Sequence, residues 1–407
     1  MSLPVGDRFD VAIVGGGLVG LATAFRLLGS RPELRLAVIE KERDLALHQS
    51  GRNSGVLHAG LYYRPGSAKA TLCREGKAEL ERFCEGHGIP FERCGKLVVA
   101  TRADELPGLE ELRSRGQANG IRGLQDVGPE RIRELEPHAT GLRALHVPET
   151  GIVDFRRVAL ALADELRSRG AEILLGHRVS AIARRGAEVL VRTSLGPVAA
   201  RAVVTCAGLQ SDRVAAMTGR GGGERIVPFR GDYCVLRPNA RHLVRGLIYP
   251  VPDPSLPFLG VHLTRRIDGE VWAGPNAMLA FAREGYRRWQ VDPRDLAAAL
   301  GYRGLHRLAR RHWRAGLEEI ARDLSKRAFV AACRRYVPEL RAADVRWGPA
   351  GIRAQAVRPD GTLLDDFWVQ EDGRVIHVRN APSPAATACL AIGSRLARRV
   401  TERFELD

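Results

Sequence analysis

Apolar and polar positions fall into blocks short enough to read as elements. Val11–Val14 is a continuous apolar run, the pattern of a parallel strand buried on both faces. Leu18 to Leu28 follows at helical length, and Leu36–Ile39 reads as a second buried strand. Ala68 to His87 places Leu72, Leu80 and Phe83 at helical spacing. Lys96–Thr101 reads as a strand, Glu105–Asn119 as a polar helix and Pro129–Glu136 as a short one. Asp154 is a fitting cap for a helix running to about Arg169, which Gly170 closes. Strands are expected at Ile173–Leu175, Arg178–Ala183, Glu188–Thr193 and Ala202–Thr205, with turns near Gly186 and Gly196. Pro228 to Asn276 reads mostly as strand, turning at Asp253-Pro254 and Asp268-Gly269. Asp292 to Asp323 is helical and arginine-rich, and Phe329–Tyr336 is another helix. Trp347 to Asp366 reads as a glycine-rich loop and Val375–Val378 as a strand. The last helix is expected over Pro384–Phe404, with Ser383 as its N-cap and Pro384 in first position.

This order predicts an α/β fold. A Rossmann-like nucleotide domain would be assembled from residues 1–90, 146–225 and 340–407. A mixed-sheet substrate domain would be inserted as 91–145 and 226–339. A chain of 407 residues suits two such domains. Val11 to Gly29 is long enough to be mistaken for a membrane span. It follows Asp7 and Asp10, however, and holds Gly15, Gly16, Gly17 and Gly20, so no transmembrane or targeting segment is expected. The seven cysteines are scattered, without a CxxC or metal-ligand spacing. This points to a reducing, cytoplasmic compartment and no metal. The net charge of +16 comes from arginines spread along the whole chain. It reads as a solvated surface rather than a nucleic-acid site, and it suits peripheral attachment to the inner face of an anionic membrane.

Gly15-x-Gly17-x-x-Gly20 joins the first strand to the first helix, and Glu40 ends the second strand. Strand, glycine turn, helix, strand and acid together form a dinucleotide fingerprint. Gly15 permits the tight turn, Gly17 lets backbone approach a pyrophosphate, and Gly20 lets the helix pack on the strand. Glu40 suits an adenosine ribose, and its charge would repel a 2′-phosphate. His48 to Gly60 is small and polar, a composition suited to a segment laid along an extended cofactor. Thr205-Cys206-Ala207-Gly208 follows a strand with small residues and would offer backbone a second time. If Arg379-Asn380-Ala381-Pro382 covers a flavin ring, the dipole of the last helix would stabilise negative charge on it.

Several blocks make the chain resemble the L-2-hydroxyglutarate dehydrogenase/oxidase family of D-amino-acid-oxidase-like flavoproteins. They include Asn53-Ser54-Gly55-Val56-Leu57-His58-Ala59-Gly60, Cys94-Gly95-Lys96-Leu97 and Phe229-Arg230-Gly231-Asp232-Tyr233. Ile248-Tyr249-Pro250, Pro257-Phe258-Leu259-Gly260-Val261-His262, Gly348-Pro349-Ala350-Gly351-Ile352-Arg353 and Asn380 to Thr387 continue the likeness over nearly the whole length. The resemblance implies FAD and oxidation of L-2-hydroxyglutarate to 2-oxoglutarate by hydride transfer to flavin N5; no cysteine or histidine matches a covalent-attachment motif, so the FAD is expected to be non-covalent. Electrons would pass to a membrane quinone, another electron-transport acceptor or oxygen. The cofactor-binding set is then Gly15, Gly17, Leu18, Val19, Gly20, Glu40, Lys41, Ser50, Arg52, Asn53, Ser54, Gly55 and His58. Val179, Cys206, Ala207, Gly208, Gly351, Ser383, Pro384, Ala385 and Thr387 complete it. Arg52 departs from the small polar residue the family often carries there.

A 2-hydroxy acid needs a base for its hydroxyl proton and cations for its carboxylates. His58 is the first candidate base and His262 the second. Arg353 is expected to hold one carboxylate. Arg230, Tyr249, Thr264 and Arg265 are candidates for the distal end of a dicarboxylate. Two other readings remain on the residues alone: an amino-acid or secondary-amine oxidase on the same fold, and a flavin-carrying nucleic-acid-binding or tRNA-modifying protein.

Overall fold

The computed structural model describes residues 8–253 and 259–404. The predicted turn at Asp253-Pro254 lies partly outside them, as do Pro257 and Phe258. An eight-stranded sheet forms the nucleotide domain. Arg8–Val14 lies between Gly196–Thr205 and Leu36–Ile39 and is parallel to both. Val14 is level with Thr205 on one side and Ile39 on the other, so three strand ends open at one edge. Val375–Asn380 joins Gly196–Thr205 in parallel, and Trp368–Asp372 pairs with it. The start, middle and end of the chain therefore share one sheet.

The helix Leu18–Ser30 covers this sheet with Leu21 and Leu27 fully buried, each worth about 1.5–3 kcal/mol. The C-terminal helix Cys389–Arg403 packs against it so closely that a Cβ on Gly393 would lie 2.7 Å from Ala22 backbone. Among the described residues no helix is long and apolar enough to cross a membrane.

The second sheet has nine strands. Leu247–Pro250 lies at its middle, parallel to Lys96–Ala100 and antiparallel to His262–Arg265. Three expectations are corrected here. Residues 345–357 form a thirteen-residue strand, not a loop. It pairs antiparallel along Arg225–Leu236. Its glycines mark close approach rather than a turn: a Cβ on Gly348 would lie 2.5 Å from Val235, and one on Gly351 2.7 Å from the Arg52 carbonyl oxygen.

The boundaries drawn at 145/146, 225/226 and 339/340 move as a consequence. Arg143–Val147, Arg225–Leu236 and Val345–Val357 all belong to the nine-stranded sheet. The last helix starts at Cys389, with Ala388 as its cap, so Ser383 and Pro384 lie a turn before it. The Pro382 carbonyl accepts from Ala385 N–H and the Pro384 carbonyl from Ala388 N–H, closing separate turns ahead of the helix. The arginine-rich segment is three helices, Pro293–Leu300, Arg303–Arg311 and Trp313–Leu324.

Candidate active site

A cavity of about 1110 Å³ runs between the two sheets. It exceeds the roughly 300–1,000 Å³ of ordinary small-molecule sites. Gly15, Gly17, Leu18, Val19, Glu40 and Lys41 line it, as do Ser50, Arg52, Asn53, Ser54 and His58. Val179, Cys206, Ala207, Gly208, Gly351, Ser383, Pro384, Ala385 and Thr387 also line it. Of the expected cofactor contacts, Gly20 and Gly55 do not. A Cβ on Gly20 would lie 2.0 Å from the Gly15 carbonyl oxygen, so Gly20 serves helix–strand packing. Gly55 has φ +77°, and a Cβ there would meet the Val153 carbonyl oxygen at 2.7 Å.

The turn is built for an anionic ligand. Gly17 caps the helix without a side chain of its own, so the helix N-terminus opens to the cavity beside Ser50. Leu18 N–H is held by Ser50 Oγ at 3.0 Å. Glu40 accepts Gly16 N–H on Oε2 at 2.7 Å and Glu42 N–H on Oε1 at 2.9 Å. Each oxygen keeps a lone pair, so the carboxylate is fixed and still able to accept ribose hydroxyls. These residues fit FAD: an extended groove, a helix N-terminus capped by glycine and an oriented acid. Arg52 turns its guanidinium onto the Tyr286 ring at 4.1 Å and donates from Nε to the Leu47 carbonyl.

Among the described residues, Glu42, His48 and Glu284 are spaced to hold a metal ion. The Lys41 ammonium already pairs with both glutamates, at 2.9 Å to Glu284, and so supplies the positive charge there.

The other end of the cavity is lined by His58, Tyr62, Tyr233, Tyr249, His262 and Arg353. Strand pairing brings them together. Leu247 is level with Thr264 and Ile248 with Leu263, which carries Tyr249 next to His262. Their rings stack at 4.1 Å. His262 Nδ1 lies 3.0 Å from the Gly260 carbonyl oxygen. That oxygen can only accept, so Nδ1 carries the proton and Nε2 is left with its lone pair. Burial, with the charges of Arg353 and Lys96, pushes His262 down to about 3, against the Gly260 bond. Burial, with Lys96 and His262, takes His58 to about 3 as well. Both imidazoles are neutral at working pH. A bound carboxylate would raise both values by favouring the charged form.

Three distal-end candidates are not brought to the cavity. Arg230 is buried and donates to Asp232 at 2.7 Å and to the Arg287 carbonyl at 3.2 Å. Arg265 pairs with Glu92 and donates to the Arg245 carbonyl. Thr264 is buried within its strand. Tyr249 alone of that set lines the cavity. Tyr62, Tyr63 and Tyr233 line it too; Tyr233 ends the Phe229–Tyr233 block, and Tyr62 and Tyr63 follow just after the block that closes at Gly60.

Residues 10–399 match the family described as FAD dependent oxidoreductase. The chain is 48% identical to the L-2-hydroxyglutarate dehydrogenase, mitochondrial, of Nematostella vectensis, covering 100% of this chain and 93% of the relative. It is 46% identical to the L-2-hydroxyglutarate dehydrogenase of Indibacter alkaliphilus, over 97% and 100%. The Homo sapiens mitochondrial protein of that name is 45% identical, over 98% and 90%. Among solved structures, the FAD-bound L-alpha-glycerophosphate oxidase of Mycoplasma pneumoniae matches with a TM-score of 0.79, 24% identity and coverage of 98% and 95%. Glycine oxidase of Geobacillus kaustophilus matches at 0.72, 21% identity and coverage of 98% and 96%. These two likenesses show the fold. The chain belongs to the FAD dependent oxidoreductase family, on the branch of the L-2-hydroxyglutarate dehydrogenases.

Proposed function

We propose that the protein oxidises L-2-hydroxyglutarate to 2-oxoglutarate. The observation that carries this reading is full-length likeness: identities of 44–48% to relatives named for that activity, over 96–100% of this chain. When bound, FAD supplies the hydride acceptor. Gly15, Gly17, Glu40, Ser50 and Gly208 hold it without a covalent bond. Arg353 binds a substrate carboxylate through its planar fork of donors. The hydroxyl proton passes to Nε2 of His262, whose lone pair the Gly260 bond leaves exposed. His58 lines the same end of the cavity as a second neutral imidazole. Tyr233 and Tyr249, both buried, and the half-buried Tyr62 keep water from this end of the cavity.

Anaerobic mixing with L-2-hydroxyglutarate should bleach the flavin absorbance, while the D enantiomer and L-amino acids should leave it unchanged. Bleaching by an amino acid and not by the hydroxy acid would overturn the reading. Arg353→Lys removes a charged bidentate contact worth about 1.5–3 kcal/mol. It should raise the half-saturating substrate concentration roughly 10–100-fold and change the limiting rate far less. An unchanged half-saturation point would remove Arg353 from carboxylate binding.

Electrons leave to a membrane quinone, and the chain sits in the cytoplasm, attached peripherally to an anionic membrane face. The net charge of +16 supports the electrostatic attachment. Screening shortens from about 10 Å at 0.1 M salt to about 3 Å at 1 M. Binding to vesicles with anionic headgroups should therefore fall steeply across that range. Retention at 1 M salt, released only by detergent, would contradict electrostatic attachment.

A further inference from the structure

The chain has five lysines. Lys41 meets Glu42 and Glu284, Lys69 meets Asp365, Lys77 meets Glu81, and Lys326 meets the Val345 carbonyl. Lys96 is different. It is 2% exposed, and among the described residues no oxygen is paired with its ammonium. Its Nζ lies 4.4 Å from the Tyr62 ring centre and 5.2 Å from that of Tyr249. An unpaired buried charge is costly to fold around.

Strand register explains its position. Lys96 and Val98 share a face by the period of two, and Val98 is level with Tyr249. Lys96, Tyr249 and His262 therefore stand on one face of the sheet, and Tyr249 and His262 line the substrate end of the cavity. The positive charges felt at His262 are those of Arg353 and Lys96. The other arginines expected to hold a distal carboxylate are engaged, Arg230 with Asp232 and Arg265 with Glu92. A dicarboxylate brings two negative charges to this end.

We propose that Lys96 is the second cation of the substrate site, balancing with Arg353 the two charges of a bound dicarboxylate. It acts through Tyr62 and Tyr249, which line the cavity while Lys96 stands behind them. It is a positioning residue that selects dicarboxylates over monocarboxylates. The inference rests on the 2-hydroxy dicarboxylate reading above. The groups facing Lys96 are His58, Tyr62, Cys73, Tyr249 and His262. Burial holds the tyrosines above their usual value and takes the Cys73 thiol up to about 12. The two imidazoles are at about 3. All five are neutral near pH 7. Lys96 itself is pulled down to about 7 by burial, so it is the member of this group that titrates there. Its charge is present below that value and lost above it.

The test uses the flavin-loaded enzyme and two unreactive probes, glutarate and butyrate, with binding followed by the perturbed flavin spectrum. Lys96→Met should weaken glutarate roughly 10–100-fold, the scale of two opposite charges acting through space at an effective dielectric of about 20, and leave butyrate unchanged. Lys96→Arg should restore most of the glutarate affinity. Glutarate affinity of the wild-type enzyme should fall as pH rises through about 7, and this dependence should vanish in Lys96→Met. Equal glutarate binding by wild type and Lys96→Met would overturn the proposal. If neither variant folds, a wild-type glutarate affinity that is flat across neutral pH overturns it instead. Failure of L-2-hydroxyglutarate to bleach the wild-type flavin, with glutarate still preferred over butyrate, would sink the substrate reading and leave the role of Lys96 standing.

Discussion

His262→Ala is expected to lower the anaerobic rate of flavin reduction by about 10²–10⁴-fold, the usual contribution of a positioned general base. The Gly260 carbonyl fixes the proton on Nδ1 and leaves Nε2 as an acceptor. Stacking on Tyr249 holds the ring plane. The variant should keep its flavin, because the change affects the proton and not the cofactor cradle. His58→Ala, measured alongside, should cost less. A large loss in His58→Ala with a near-normal His262→Ala would reverse the two roles. The low value of both imidazoles, about 3, also sets a pH expectation. A base with a depressed value stays unprotonated down to that value, so the free enzyme should lose no activity through histidine protonation between about pH 5 and 8. An acid limb centred near 6.5 would show that the active base is an ordinary solvated histidine.

Gly17→Val should abolish flavin retention, from near-stoichiometric to almost none, and added FAD should not restore activity. The backbone at Gly17 is extended, φ −90° and ψ 176°, so valine fits it without strain. What valine removes is space. The Cβ would lie 3.0 Å from Ser50 Oγ, and its methyl groups would fill the cavity before the helix N-terminus. The apoprotein should therefore keep its circular dichroism. Gly15 is the contrast. It has φ +117°, and a Cβ would lie 2.4 Å from the Cys206 carbonyl oxygen. Gly15→Ala should therefore cost fold stability as well as flavin. A yellow, stoichiometrically loaded Gly17→Val would place the pyrophosphate elsewhere.

The parts of this protein written in short-range pattern were legible in the chain. Leu36–Ile39 is buried throughout, as a four-residue apolar run requires. Asp154 caps its helix by accepting Arg156 N–H at 2.9 Å. Gly15, Gly17 and Glu40 line one cavity, because a strand, a tight turn and a helix leave them few other arrangements. Longer-range features were hidden. Gly348 and Gly351 look like loop residues until Val235 of the neighbouring strand is found against the first and the Arg52 carbonyl against the second. Arg230 and Arg265 look like substrate anchors until the fold sets the Arg287 and Arg288 carbonyls on Arg230, beside its strand neighbour Asp232, and Glu92 on Arg265. Lys96 looks like any strand lysine until the sheet closes over it and leaves it facing two tyrosine rings. Local pattern settles which residues form a strand and which face alternates. Whether a charge on that face is already neutralised depends on partners brought in by strands far away in sequence, and that is a property of the folded chain alone.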